Sequence, residues 1–573
     1  MSKKIRTCEL ETPFEKISTG WDEYPRPQFR RKSYISLCGQ WELSVLKDNK
    51  ETPLGEITVP FPPESRISGI KRPPEKGEQY IYRRKFMLPE NFNKGHVLLH
   101  FGAVDQFAEV FVNGTPAGGH NGGYLPFSFE VTEQINYGEN LIEVKITDKL
   151  DTDYPYGKQS RKRGGMWYTP ISGIWQAVWL ESMADDYIVS LKLTPSLDSI
   201  TIEAVGGKEE KTVVIHTENG DIVHSWSGDT ATIKIPDPKL WSPENPYLYY
   251  FTLTDGCDET ESYFALRTID IQDKNGKAYI CLNGSPYFFH GLLDQGYYSD
   301  GIYTPASPEG YLWDIKKMKS LGFNMLRKHI KIEPDLFYYY CDKYGMIVFQ
   351  DMVNSGKYNF LIDTALPTIG LRRGIKHHAS RRRRYLFEKC AEKTVRQLYN
   401  HPCVCYYTIF NEGWGQYDAD RIYREMKALD PSRIWDATSG WFSEKESDVQ
   451  SEHIYFKPVR LKAKQNRPLV LSEFGGYSCK IDNHSFNLDK NYGYKSFSSP
   501  EALTDGLKKL YEEEIIPATD DGLCAAVLTQ VSDVEDETNG LVTYDRQVVK
   551  VDEGVMREIS EKLRAAFRNK TGI

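Results

Sequence analysis

Two glutamates stand where side chains could break a bond. Glu412 closes the run CVCYYTIFNE (403–412), and Glu473 lies near the end of PLVLSEF (468–474). Each follows a continuous apolar stretch of the kind that becomes a buried strand, and each is trailed by glycine, which lets the chain turn away. Two carboxyls held about 5–5.5 Å apart can split a glycosidic linkage with retention: one protonates the departing oxygen, and the other attacks the anomeric carbon. Either acid alone could merely cap a strand end; the repeated pattern favours chemistry. Asp294 and Asp351 end neighbouring runs and could hold sugar hydroxyls or cap turns. Trp441 and Trp414 could stack on a sugar ring or pack internally. No His/Cys cluster has metal-ligand spacing, and His377–His378 is a bare pair, so neither metal nor cofactor is expected.

These residues need a frame that brings distant segments together. From 271 to 573, strand-like and helix-like segments alternate. Eight strands are expected at YFFHGLLD (287–294), FNMLRKH (323–329), MIVFQDM (346–352), 403–412, RIWDATS (433–439), EHIYF (452–456), 468–474 and CAAVLTQVSD (524–533). Such a count points to a (β/α)8 TIM barrel, with active groups at the strand C-termini. Glu412 and Glu473 then end strands 4 and 7, across one mouth. A doubly wound sheet is the alternative, but no glycine-rich phosphate loop follows any strand. Upstream, VLLHFGAV (97–104), FAEVFVNGTPAG (107–118) and NLIEVKITD (140–148) read as strands of a β-sandwich, with a hairpin turn at Asn113–Gly114. A smaller sandwich of immunoglobulin size follows. The expected domains are 1–182 (jelly roll), 183–270 (immunoglobulin-like β-sandwich) and 271–573 (barrel).

Composition narrows the classes. The 573 residues carry a net charge of −8 and a pI near 5.9, against a nucleic-acid protein with a broad basic face. The start, MSKKIRTCEL, lacks a signal-peptide core, and no run of about 18 apolar residues occurs, so no membrane partner is expected. The ten cysteines show no CxxC pairing; with no export signal, a cytoplasmic location with reduced thiols is expected. The 37 Tyr and 11 Trp suit sugar stacking and β-rich packing equally.

The layout resembles glycoside hydrolase family 2, the β-galactosidases, β-glucuronidases and β-mannosidases. QFAEVFVNG, GHNGGYLPFSFEVT (119–132) and GIWQAVWLE (173–181) resemble its jelly roll. LWSPENPYLY (240–249) and FALRTIDI (264–271) resemble its immunoglobulin-like domain. LNGSPYFFHG (282–291), NMLRKHI (324–330) and NEGWG (411–415) resemble its barrel. The resemblance implies that Glu412 is the acid/base, Asn411 the neighbour that binds the 2-hydroxyl, and Glu473 the nucleophile. It also implies that Arg327 and His329 support the pocket and bind substrate, and that Tyr455 hydrogen-bonds the nucleophile. A cation or phenol beside Glu473 would hold it ionised, leaving Glu412 the proton carrier.

Departures from the family bear on the substrate. Members often place an acid shortly before the tryptophan matching Trp167; here GKQSRKRGGMW (157–167) is basic. In place of a strand-8 tryptophan stands VLTQVSDVEDETNGL (527–541), offering Gln530 and Asp533. The NxK pair of β-glucuronidases has no counterpart, Lys495 being wrongly spaced. Two basic loops, 157–163 and LRRGIKHHASRRRR (371–384), could steer an anionic glycan or simply be solvated. The expected activity is retaining exo-β-glycosidase, β-galactosidase-like. A β-glucuronidase, another anionic or pentopyranosyl substrate, and a non-catalytic carbohydrate-binding protein are the alternatives. The partner is a carbohydrate or glycoside; the assembly state, homo-oligomer included, is left open.

Overall fold

The computed structural model describes residues 6–16, 21–368, 379–463 and 467–572. The N-terminal part is a sandwich of a four-stranded and a six-stranded antiparallel sheet, spanning Tyr34–Ser36 to Val178–Met183. Its strands alternate inward and outward residues, and Trp41, Tyr82, Leu99, Val110 and Val144 fill the space between the sheets. The expected hairpin forms between Phe107–Val112 and Thr115–Asn121, with Asn113 (φ 51°) and Gly114 (φ 79°) both left-handed. A second sandwich pairs a three-stranded with a four-stranded sheet between Ile188–Pro195 and Asp258–Phe264. That is the strand count of a constant-type immunoglobulin-like domain.

Eight parallel strands then form the barrel: β1 (Phe289–Asp294), β2 (Met325–Lys328), β3 (Ile347–Asp351), β4 (Val404–Asn411), β5 (Ile434–Ser439), β6 (Gln450–Ile454), β7 (Leu469–Gly475) and β8 (Leu523–Thr529). The ladder runs β5-β4-β3-β2-β1-β8-β7-β6, so every strand expected from sequence is present and in barrel order. Seven of the eight are buried along almost their whole length, which explains their unbroken apolar texture: helices cover the outer face and packed side chains fill the inside.

One segment of the first sandwich leaves it to cover the barrel mouth. Tyr156 donates from its N–H to the Asn354 carbonyl (3.1 Å) and from its hydroxyl to the Gly356 carbonyl (2.9 Å), just past β3. Tyr168 reaches Glu537 beyond β8 (2.6 Å), and the Trp167 ring lies edge-on to Trp414 with centroids 4.8 Å apart. The mouth is therefore walled by two parts of the chain.

The basic stretch before the β3 helix differs from expectation. Residues 371–378 lie outside the described residues. Arg381–Arg384 form the first turn of the helix Arg381–Leu398, capped by the Ser380 hydroxyl, rather than a loop. Cations there oppose the helix dipole, and nearby acceptors offset this. Arg382 pairs with Asp151 and Asp153, Arg384 with Asp418, and the buried Arg383 donates to the Ser355 and Gly415 carbonyls.

Candidate active site

The site begins with the way β4 ends. Asn411 is its last residue; Glu412 (φ 52°) and Gly413 (φ 74°) then both turn left-handed. That conformation is uncommon for a residue bearing a Cβ and marks local strain held by the surroundings. The Glu412 N–H donates to the Ser439 carbonyl at the end of β5 (3.0 Å), which fixes the turn. Gly413 has no alternative: a Cβ there would lie 2.2 Å from the Phe442 ring. Gly440 is similarly restricted, since its Cβ would press on His453 and on the Glu412 side chain. Glu473 lies within β7, two residues before its end. It pairs in register with His453 of β6, and the ladders on both sides of β7 are irregular near this point. Such irregularities re-aim a side chain.

The two glutamates meet. One oxygen of Glu412, one of Glu473 and a nitrogen of His453 all lie within 4.8 Å of one another. His453 bridges them, its Nδ1 standing 2.8 Å from Glu412 Oε1 and 3.6 Å from Glu473 Oε2. Its Nε2 sits 3.3 Å from Arg327 Nη1, and a guanidinium only donates, so Nε2 accepts and the proton belongs on Nδ1, directed at Glu412.

Arg327 organises the floor. Fully buried, it donates from Nε to Asp351 (3.0 Å), from Nη1 to Glu473 (3.0 Å) and the Ser472 carbonyl (3.0 Å), and from Nη2 to Asn411 (2.9 Å) and Ser439 (3.0 Å). One side chain thus ties β2 to β3, β4, β5 and β7. His329, one residue past β2, hydrogen-bonds Asp351 through Nδ1 (2.8 Å) and stands 4.0 Å from Glu473. The Tyr455 hydroxyl donates to Glu473 Oε2 and lies 2.9 Å from Thr529 Oγ1.

These contacts set the charge states. Burial pushes the Glu473 carboxyl up, but the N–H edge of His453, the Arg327 guanidinium, His329 and the Tyr455 hydroxyl outweigh it and hold it well below the usual carboxylate range. Asp351 is lowered in the same way, burial being overcome by Arg327 and His329. Burial, and then the charge of Glu473, raise the Tyr455 phenol, so it remains a donor. Burial pushes His329 down.

The remaining expected residues divide. Trp441, half-buried after β5, stands edge-on to His453 with ring centroids 6.3 Å apart and lines a cavity of about 70 Å³ with Phe442 and Glu452. Asp294 is committed elsewhere: one oxygen caps the Gly296 N–H (2.9 Å) and the other takes Lys328 (2.6 Å). Trp414 is buried among Tyr156, Trp167 and Tyr358, and its indole N–H is taken by the Gly356 carbonyl (2.9 Å). Gln530 bonds Gln295, Glu537 and Asn539, while Asp533 pairs with Lys550. His453 escaped the sequence reading, although a signal existed: it lies two residues before Tyr455, hence on the same face of an extended strand.

Among the described residues, Glu412, His453 and Glu473 also form the one group close enough to hold a metal ion. Their donors are already used, and the Arg327 guanidinium contacts both Glu473 and His453, which opposes a dication.

Three sequence models of one family match the chain: the glycosyl hydrolase 2 galactose-binding domain-like model over 74–172, the glycosyl hydrolases family 2 model over 180–267 and its TIM barrel domain over 275–480. A β-galactosidase of Thermoanaerobacter pseudethanolicus is 28% identical over 463 residues, covering 72% of this chain and 58% of that protein. Human β-glucuronidase is 24% identical over 404 residues, covering 61% of this chain and 58% of the human one. The chain therefore spans less than two thirds of the length of these relatives. The β-D-glucuronidase structure of Dictyoglomus thermophilum superposes with a TM-score of 0.73 at 18% identity, covering 94% of this chain and 98% of that one. Three matches of one family, in the family's domain order and together spanning more than half of the sequence, establish that the chain belongs to glycoside hydrolase family 2.

Proposed function

We propose that this chain is a retaining exo-β-glycosidase, β-galactosidase-like, with Glu473 as nucleophile and Glu412 as acid/base. The observation that carries the reading is the approach of the two carboxylates to within 4.8 Å. Inverting glycosidases need about 6.5–9.5 Å between theirs to seat a water, whereas retaining ones use about 5–5.5 Å.

Glu473, ionised and aimed by Arg327 and Tyr455, attacks the anomeric carbon while Glu412 gives its proton to the departing oxygen. A glycosyl ester on Glu473 results. Glu412, now a carboxylate, accepts the His453 Nδ1–H and takes a proton from the incoming water. That water attacks the anomeric carbon and releases the sugar and Glu473. Asn411, held by Arg327 and by the Ser439 hydroxyl (2.8 Å), presents its amide to the 2-hydroxyl. The β-galactoside preference follows the Thermoanaerobacter relative. A uronide is the second reading, favoured by the half-buried Lys158, which has no ion-pair partner among the described residues.

Replacing Glu473 with Gln tests the reading. Turnover of p-nitrophenyl β-glycosides should fall by about 10⁴-fold or more while glycoside binding persists. Unchanged turnover would leave a carbohydrate-binding protein in place of an enzyme.

A further inference from the structure

The joint between the sandwich and the barrel holds a second polar cleft. The strand His96–Phe101 turns Val97, Leu99 and Phe101 into the sandwich core, so His100 points outward. There it stands in register between Trp179 and Ser128 of the neighbouring strands. Its ring stacks on Trp179 with centroids 4.9 Å apart, and its Nδ1 lies 2.5 Å from the Ser128 hydroxyl. The N-terminal arm brings Arg26 to this face, tied to Glu181 (2.9 Å). The barrel closes the other side with Pro334 and Asp335, at the start of the helix Asp335–Tyr344, and with Gln397 of the helix Arg381–Leu398. The cleft between them has a volume of about 170 Å³ and shares no lining residue with the candidate active site.

Four polar atoms of residues lining the cleft have no hydrogen-bond partner among the described residues: Arg26 Nε, His100 Nε2, Gln176 Nε2 and Gln397 Oε1. His100 is 3% and Gln176 5% exposed, so both are shielded from bulk water, and a buried polar group left unpaired is costly. Their types decide what suits them. Arg26 Nε and Gln176 Nε2 only donate. Gln397 spends its Nε2 on Asp335 (2.8 Å), which leaves Oε1, an acceptor. Burial pushes the His100 imidazole down to about 3, with Glu181 opposing, so the ring is neutral and Nε2 donates or accepts according to its tautomer. An anion would answer the donors but lie against Asp335 and leave Gln397 unanswered; a cation would do the reverse. A hydroxyl both donates and accepts.

We propose that this cleft is a second, non-catalytic carbohydrate site that holds one neutral pyranose ring by its hydroxyls. The volume is that of about six waters, the room a single sugar ring takes when it displaces them. Pro126, Phe127 and Pro334 give the C–H face of the ring an apolar wall. The site stands independently of the hydrolase reading.

Calorimetric titration of the full chain with D-galactose, D-glucose and inorganic phosphate tests the site, in wild type, His100→Phe, Gln397→Met and the double variant. Phe keeps the stack on Trp179, and Met keeps the length of glutamine. The two positions lie in different domains, so a variant that fails to fold leaves the other to carry the test. Each substitution should weaken a sugar-binding component about three- to tenfold, the range for one lost hydrogen bond, and the double variant should abolish it. Melting temperature and kcat/KM on p-nitrophenyl β-glycosides should stay as in wild type. Sugar isotherms identical in wild type and every variant would overturn the proposal and leave the cleft to water. Phosphate that competes with the sugar and is lost in His100→Phe would also overturn it, making the cleft an anion site. So would a kcat/KM that falls in step with sugar affinity, because the variants would then be acting on the active site.

Discussion

Replacing Arg327 with Met removes the guanidinium that bridges Asp351 and Glu473 while roughly keeping the length of the side chain. Both carboxylates are buried, and both owe part of their lowered pKa to Arg327. Breaking a buried pair from one side costs about 3–5 kcal/mol, because the charge left behind is neither hydrated nor neutralised. At about 2–4 °C per kcal/mol the barrel transition should move down by around 10 °C at pH 7. The pH dependence should change as well. In the wild type, depressed carboxylates stabilise the fold fully above their unfolded values near 4, and that contribution fades as pH falls toward the folded values. Without Arg327 both carboxyls lose one of the influences that hold them down, and their folded values move up. The penalty is then largest at neutral pH and is relieved on acidification, as the acids take up protons. Melting curves of both proteins from pH 7 to pH 4 should therefore show a gap that narrows with falling pH. The acid limb of kcat/KM should move upward in the variant, since a protonated Glu473 cannot attack. A deficit under about 1 kcal/mol at pH 7, or a gap that widens on acidification, would refute this electrostatic account of the floor.

Tyr455→Phe removes the hydroxyl donated to Glu473 and should lower kcat about 10²-fold with little change in melting; an unchanged kcat would place the phenol outside the chemistry. Trp414→Ala should cost about 3–5 kcal/mol in stability, because the ring is buried in the seam between sandwich and barrel; a stable variant that had lost only sugar affinity would show that the ring contacts substrate instead. Gly413→Ala should destabilise by more than 1 kcal/mol and lower activity, since the left-handed turn and the Phe442 ring leave no room for a methyl; a melting curve matching wild type would show that the turn can relax.

Local texture alone identified most of the frame. Fully buried parallel strands must be continuously apolar, and half-solvated antiparallel ones must alternate, so the eight barrel strands and the sandwich hairpin at Asn113–Gly114 could be read before any contact was known. The acid just past β4 and the acid near the end of β7 could be placed at one mouth for the same reason, since each sits at the close of a buried run. Partnership was not legible. Asp294 and Asp351 look alike in sequence, yet one is claimed by Lys328 and the other by Arg327, and only the packing of β2 beside both decides it. Trp414 and Trp441 each follow a strand, but the sandwich segment carrying Trp167 buries the first and leaves the second half-open. Tyr168 and Glu537, almost 370 residues apart, meet because that same segment crosses the mouth. Periodicity reports which face of an element is buried; it carries no information on which distant residue covers that face, because such contacts depend on how whole domains pack.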